Sequence, residues 1–171
     1  MGVEEFRVVV DDSDEVIVPG LEPDVQVCRL SEKKAKNVAG LCDESDIIIA
    51  ADTIVYYEGK ILGKPACADD AKRMLRLLSG NVHSVYTGVT LLRDDLCVSA
   101  AERTDVWFRD ISDIEIERYI ETGEPADKAG AYAAQGGAAV FITRIEGDFF
   151  NVVGLPLCRL SMMLEEIGVS I

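Results

Sequence analysis

Residues Ala51–Pro65, ADTIVYYEGKILGKP, constrain this chain most, because they put one acid and one base on a ribbon that has to double back. Ile47-Ile48-Ile49 is a β-branched run of the kind buried on both faces of a sheet, and Asp52 stands where that run gives way to polar groups. Glu58-Gly59-Lys60 is a tight-turn signal between Val55-Tyr56-Tyr57 and Ile61-Leu62. The turn predicts a hairpin that brings Lys64 toward the side carrying Asp52. Taken alone, such a pair reads first as a strand-end acid and a surface lysine.

The flanking segments give an alternation of elements. Phe6–Val10 reads as a short strand, followed by the acidic turn Asp11-Asp12-Ser13-Asp14-Glu15. Ser31 has the character of a helix N-cap, with Ala35, Val38, Ala39 and Cys42 forming one apolar stripe behind it and Lys34 at its margin. Asp69 or Asp70 can cap a helix through Ala71, Met74, Leu75 and Leu78 that ends at Gly80. Val85–Leu92 and Val98–Phe108 flank Arg93-Asp94-Asp95 as a long antiparallel hairpin, with Trp107 a core or dimer-contact residue. Ser112 and Glu115 have capping-box spacing, and Ile111 against Ile116 has that of a hydrophobic staple, so a helix starts there and runs to Gly123. Residues 124–137 form a loop of small residues, suited to close backbone approach, in which Asp127, Lys128 and Gln135 stand out. Val140–Ile145 reads as a strand, Gly147-Asp148 as a turn, and Leu157, Leu160, Leu164 and Ile167 as a terminal amphipathic helix. Strands separated by helices, with one clear hairpin, predict an α/β fold with a mixed sheet and flanking helices in a single domain over 1–171.

Composition excludes several function classes. A net charge of −14 argues against extended nucleic-acid binding and leaves a small anionic substrate held in a local basic pocket. The five cysteines have no CxxC spacing and there is one histidine, so neither a disulfide framework nor the usual zinc ligand set is suggested. GKILGKP falls one residue short of P-loop spacing, and Pro65 stands where a magnesium-binding hydroxyl would be needed. No apolar run approaches the roughly 20 residues that cross a bilayer, and MGVEEFRVVV lacks the regions of a signal peptide, so the expectation is a soluble, cytoplasmic protein without a membrane partner.

The segments ADTIV, LGKP, MLRLLSG, VHSVYTGV, DKAGAY with AQG, and NVVGLPL follow one another in an order that resembles the Maf family of nucleoside triphosphate pyrophosphatases, from Glu15 to the C-terminus. The resemblance implies two lobes around a nucleotide cleft. It also implies hydrolysis of dTTP, UTP or modified pyrimidine triphosphates to the monophosphate and pyrophosphate. Asp52 matches the family's general base, Lys34 and Lys64 its phosphate contacts, and Glu15 with Asp52 a site for magnesium or manganese. Asp127 and Lys128 are further substrate contacts by position. Thr53 and Gln135 resemble the pair found in the dTTP/UTP branch, whereas the 7-methyl-GTP branch has other polar residues there. A hydroxyl and a carboxamide can pair with a pyrimidine edge or satisfy backbone groups.

The family's opening SxSxRR segment has no counterpart here, which implies the loss of one strand and of an arginine that meets the phosphates. Two expectations follow: a homodimer that covers the open sheet edge with contacts near Trp107, and, as alternative functions, a nucleotide-binding or regulatory protein linked to septum formation with little turnover, or a pyrophosphatase of the 7-methyl-GTP branch.

Overall fold

The computed structural model describes residues 6–11, 13, 15–43 and 45–169. Its centre is a five-stranded sheet in the order β2-β1-β3-β4-β5, built from β1 (Ile48–Tyr57), β2 (Lys60–Leu62), β3 (Val82–Arg93), β4 (Leu96–Phe108) and β5 (Ile142–Glu146). Every pairing is antiparallel, so the expected α/β architecture holds while the sheet is antiparallel throughout rather than mixed. Two of the four pairings follow from the connections, since β1–β2 and β3–β4 are joined by tight turns, with Gly59 at φ 77° and Asp94 at φ 51°, and such turns reverse the chain.

Helices cover both faces. Helix α1 (Pro23–Ala39) packs Val27 and Leu30 on Ile54, beside Tyr86 and Ala101. Its backbone sits directly on the sheet at Gly88, where a Cβ would come within 2.7 Å of the Cys28 nitrogen and closer still to the Val27 carbonyl. On the opposite face, α2 (Ala68–Leu78) and α3 (Asp113–Glu121) bury Leu75, Leu78 and Ile116 against Val55, Val85, Val106 and Phe108. Farther along that face, α5 (Leu157–Glu166) lays Leu160, Met163 and Leu164 on Val89 and Leu91.

The Ser112–Glu115 capping box forms in full. Other local expectations give way. Helix α1 starts at Pro23, where proline suits the first helical turn, and not at Ser31. Ser31 is instead buried in mid-helix, with its hydroxyl bonded to the Cys28 carbonyl and to Thr90 Oγ1. Helix α2 has Cys67 at its N-cap, and Asp70 serves the same end differently, by accepting from the Ala66 N–H. Ile47–Ile49 is not buried on both faces, since Ile49 is exposed and full burial starts at Asp52. Phe6, Val8 and Val10 pair with no strand among the described residues, and they face solvent. Of the acidic turn, Asp12 and Asp14 lie outside the described residues. The terminal helix is preceded by a separate turn of helix, α4 (Phe149–Val153), cut off from α5 by Gly154 at φ 112° and by Pro156.

Candidate active site

Strand β2 covers the outer edge of β1 only at Val55–Tyr57, which leaves Ala51–Ile54 open to a cleft of about 490 Å³. Successive strand residues point to opposite faces, so the cleft straddles the sheet edge. Asp52, in register with Gly88, belongs to the α1 face; Thr53, in register with Thr87, belongs to the other. The first side of the cleft is lined by Glu15, Lys34 and Lys64, and the second by Tyr132, Val152 and Val153. Asp127 and Lys128 stand at its mouth, paired with one another at 2.9 Å. The 3₁₀ turns carrying them are tied to the ribbon by the Gly130 N–H, which donates to the Gly63 carbonyl at 3.0 Å.

Asp52 is buried, with Oδ1 bound by the Lys34 ammonium and Oδ2, among the described residues, without a donor. Lys34 also holds Glu15 Oε1 at 2.9 Å, and Lys64 reaches the same oxygen at 3.3 Å. The site is therefore an acid–base chain of alternating charge. Burial pushes the Asp52 carboxyl above its ordinary value, and the Lys34 ammonium only partly offsets this. At Glu15 burial acts in the same sense, but the Lys34 and Lys64 ammonium groups outweigh it and lower the pKa. Lys34 loses charge stabilisation by burial and regains more from Asp52 and Glu15, so its pKa rises. Of the two carboxyls Asp52 is thus the better proton acceptor, and its free oxygen faces no competing donor.

The donor set also fits a hydrated divalent cation. Glu15 and Asp52 converge on one lysine, an Asp52 oxygen is left unpaired, and magnesium needs only one or two carboxylates when phosphate oxygens and water complete its shell. Among the described residues no cluster of three or more His, Cys, Asp or Glu side chains could make a protein-only cage.

The structure brings Glu15, Lys34, Asp52 and Lys64 together and places Thr53, Asp127 and Lys128 on the same cleft. Gln135 is not among the lining residues; it is exposed on a turn fastened by the Gly137 N–H, which donates to Glu124 at 2.8 Å. His83 is buried away from the cleft, Nε2 bonded to Tyr132 Oη at 2.8 Å, and burial pulls its pKa down to about 4. Sequence reasoning missed Thr87 and Asn151, both fully buried behind Thr53. A signal was present: Thr87 interrupts the inward-facing series Val85, Val89, Leu91 with a hydroxyl.

A profile of the family described as Maf-like protein matches residues 1–167. The dTTP/UTP pyrophosphatase of Methanosarcina mazei is 49% identical over 168 residues, covering 97% of this chain and 85% of that protein. The dTTP/UTP pyrophosphatase of Methanosarcina barkeri is 46% identical over the same span and coverage. That of Bacillus cytotoxicus is 47% identical over 161 residues, covering 94% of this chain and 84% of its own length. No helix among the described residues is long and apolar enough to cross a membrane.

Proposed function

Because the chain belongs to the Maf-like family, we propose that it is a nucleoside triphosphate pyrophosphatase that cleaves dTTP and UTP between the α and β phosphates. The observation that carries the reading is Asp52, a buried carboxyl of raised pKa with one oxygen held by Lys34 and the other open to a proton. A water oriented by Asp52 loses its proton to Oδ2 as its oxygen bonds to the α phosphorus. The bond from the α phosphorus to the bridging oxygen breaks in line, and pyrophosphate leaves with that oxygen. Lys34 and Lys64 hold phosphate oxygens and balance the charge that develops there. Glu15 and Asp52 would hold magnesium or manganese, which would supply further charge neutralisation. Asp127 and Lys128 steer the polyphosphate at the mouth, and Thr53 meets the base. Gln135 reaches the base only if its turn moves inward.

The reading includes a cytoplasmic setting, supported by five free thiols of the kind kept reduced there. It also includes a homodimer through the outer edge of β5, a strand edge with no pairing partner among the described residues, beside the half-buried Trp107, whose ring Arg144 covers at 4.7 Å. Light scattering after size exclusion is expected to give twice the chain mass; a monodisperse monomer contradicts that part.

Incubation with a nucleotide panel and magnesium, with products resolved by chromatography, tests the activity. Monophosphate and pyrophosphate from dTTP and UTP are expected. Release of orthophosphate and a nucleoside diphosphate, or tight binding without product, refutes the assignment.

A further inference from the structure

Thr53 Oγ1 lies 2.8 Å from Thr87 Oγ1, and Thr87 Oγ1 lies 2.9 Å from the Asn151 carbonyl oxygen. A carbonyl can only accept, so the single hydroxyl proton of Thr87 is committed to Asn151. Thr87 then has only lone pairs to offer Thr53, and Thr53 must be the donor in the bond between them. Its own proton is thereby consumed inside the protein.

We infer that Thr87 is a positioning residue that fixes the Thr53 hydroxyl as a pure hydrogen-bond acceptor toward the cleft, selecting bases that present an N–H there. The inference rests on the reading of the cleft as a pyrimidine triphosphate site. Uracil and thymine carry a proton on N3 and satisfy such an acceptor, whereas cytosine turns a lone pair to the same place. Lone pair against lone pair leaves two polar groups without a partner in one another, and that mismatch is the discriminating step.

The relay is held from behind. Asn151 is fully buried; its side-chain NH₂ donates to the Val85 carbonyl at 3.1 Å and to Thr104 Oγ1 at 2.9 Å, which fixes the amide orientation. Thr104 Oγ1 donates to the Asp148 carbonyl and accepts from the Asp148 N–H, each at 3.0 Å. The acceptor carbonyl at the end of the relay is thus locked to the turn that also supplies Val152 and Val153 to the cleft wall. Gly154 completes the fit: a Cβ there would stand 3.4 Å from Thr53 Oγ1.

Thr87→Val removes the relay hydroxyl with little change of shape, and the Asn151 carbonyl keeps the Gly154 N–H at 3.0 Å as a partner. Freed of Thr87, the Thr53 hydroxyl can turn its proton to the cleft and donate to cytosine N3. The measurement is kcat/KM for UTP and for CTP, split into kcat and KM, on wild type, Thr87→Val and Thr87→Ser. The UTP-to-CTP preference is expected to fall about tenfold in Thr87→Val and to stay near wild type in Thr87→Ser, with the change mainly in KM for CTP. An unchanged preference in a folded Thr87→Val overturns the inference, as does an equal loss in both variants, which a structural role alone would produce. Should Thr87→Val not fold, Thr87→Ala takes its place with the same expected and refuting results, and wild type that turns over N3-methyl-UTP, which lacks the donor, as well as UTP overturns the inference. Wild type that leaves UTP intact refutes the pyrophosphatase reading itself, a result separate from all of these.

Discussion

Replacing Gly88 with alanine is expected to lift α1 from the sheet and disable the site from behind. The added methyl would fall on the Val27 carbonyl and within 2.7 Å of the Cys28 nitrogen. These are main-chain atoms of a helix and cannot rotate aside. Overpacking of a core typically costs about 1–3 kcal/mol, and a rigid neighbour puts this substitution near the upper figure, about 3 kcal/mol. For a domain of this size each kcal/mol lowers the melting temperature by roughly 2–4 °C, so a fall of roughly 6–12 °C is expected. Lys34 sits on the same helix, and Asp52 is the register partner of Gly88, so the displacement acts on the ion pair at the centre of the site. A misplacement of about 1 Å can cost on the order of 10²-fold in rate. Calorimetry and steady-state turnover on the same preparation read both effects. Gly40→Ala, at a helix end with nothing within 4 Å of the added methyl, serves as the control and should melt at or slightly above wild type. A Gly88→Ala protein that melts within about 2 °C of wild type, well short of the expected fall, and turns over normally would refute the direct seating of α1 on β3.

Asp52→Asn should keep the fold, as circular dichroism would report, while turnover drops by about 10²- to 10⁴-fold; near-normal activity removes Asp52 from the role of base. In the metal-free protein the Asp52 carboxyl should titrate above the ordinary carboxylate range, because burial raises its pKa, as NMR of the carboxyl carbon would report; titration at or below that range contradicts this environment. His83 makes stability depend on pH in a calculable window. Its folded pKa, about 4, lies below the ordinary 6.5, so the unfolded chain takes the proton first; the contribution is complete above about pH 6.5 and is lost as pH falls toward 4, by about 3 kcal/mol in all. Denaturant titrations from pH 4.5 to 8 should show a steeper slope in wild type than in His83→Gln, since the carboxylates titrate in both, and equal slopes refute the assignment.

The parts of the fold that were readable in advance are those whose signals are local. The β3–β4 hairpin and the α3 capping box depend on residues a few positions apart, and both form as their spacing predicts. Ser31 misled because a serine before an apolar stripe looks the same whether it caps a helix or bonds across to a strand; Thr90, its partner, is 59 residues away. The acid and bases of the site were legible as residue types, and the tight turn after β1 does bring Lys64 back toward Asp52. The three-way meeting with Glu15 was not readable from spacing, since Glu15 and Lys64 are 49 residues apart. Opposite facing of Asp52 and Thr53 follows from strand geometry alone, yet one cleft serves both only because β2 is three residues long and leaves the edge of β1 open. Likeness of motif points to Gln135, and the Glu124 contact that fastens its turn is a tertiary feature with no local mark.

Hydrolysis of UTP in water enriched in ¹⁸O tests the central claim most directly, because it reads which phosphorus the water attacks. With Asp52 directing water at the α phosphorus, mass spectrometry should find the label in UMP and none in pyrophosphate. Label in pyrophosphate, or products that are UDP and labelled orthophosphate, would contradict the account.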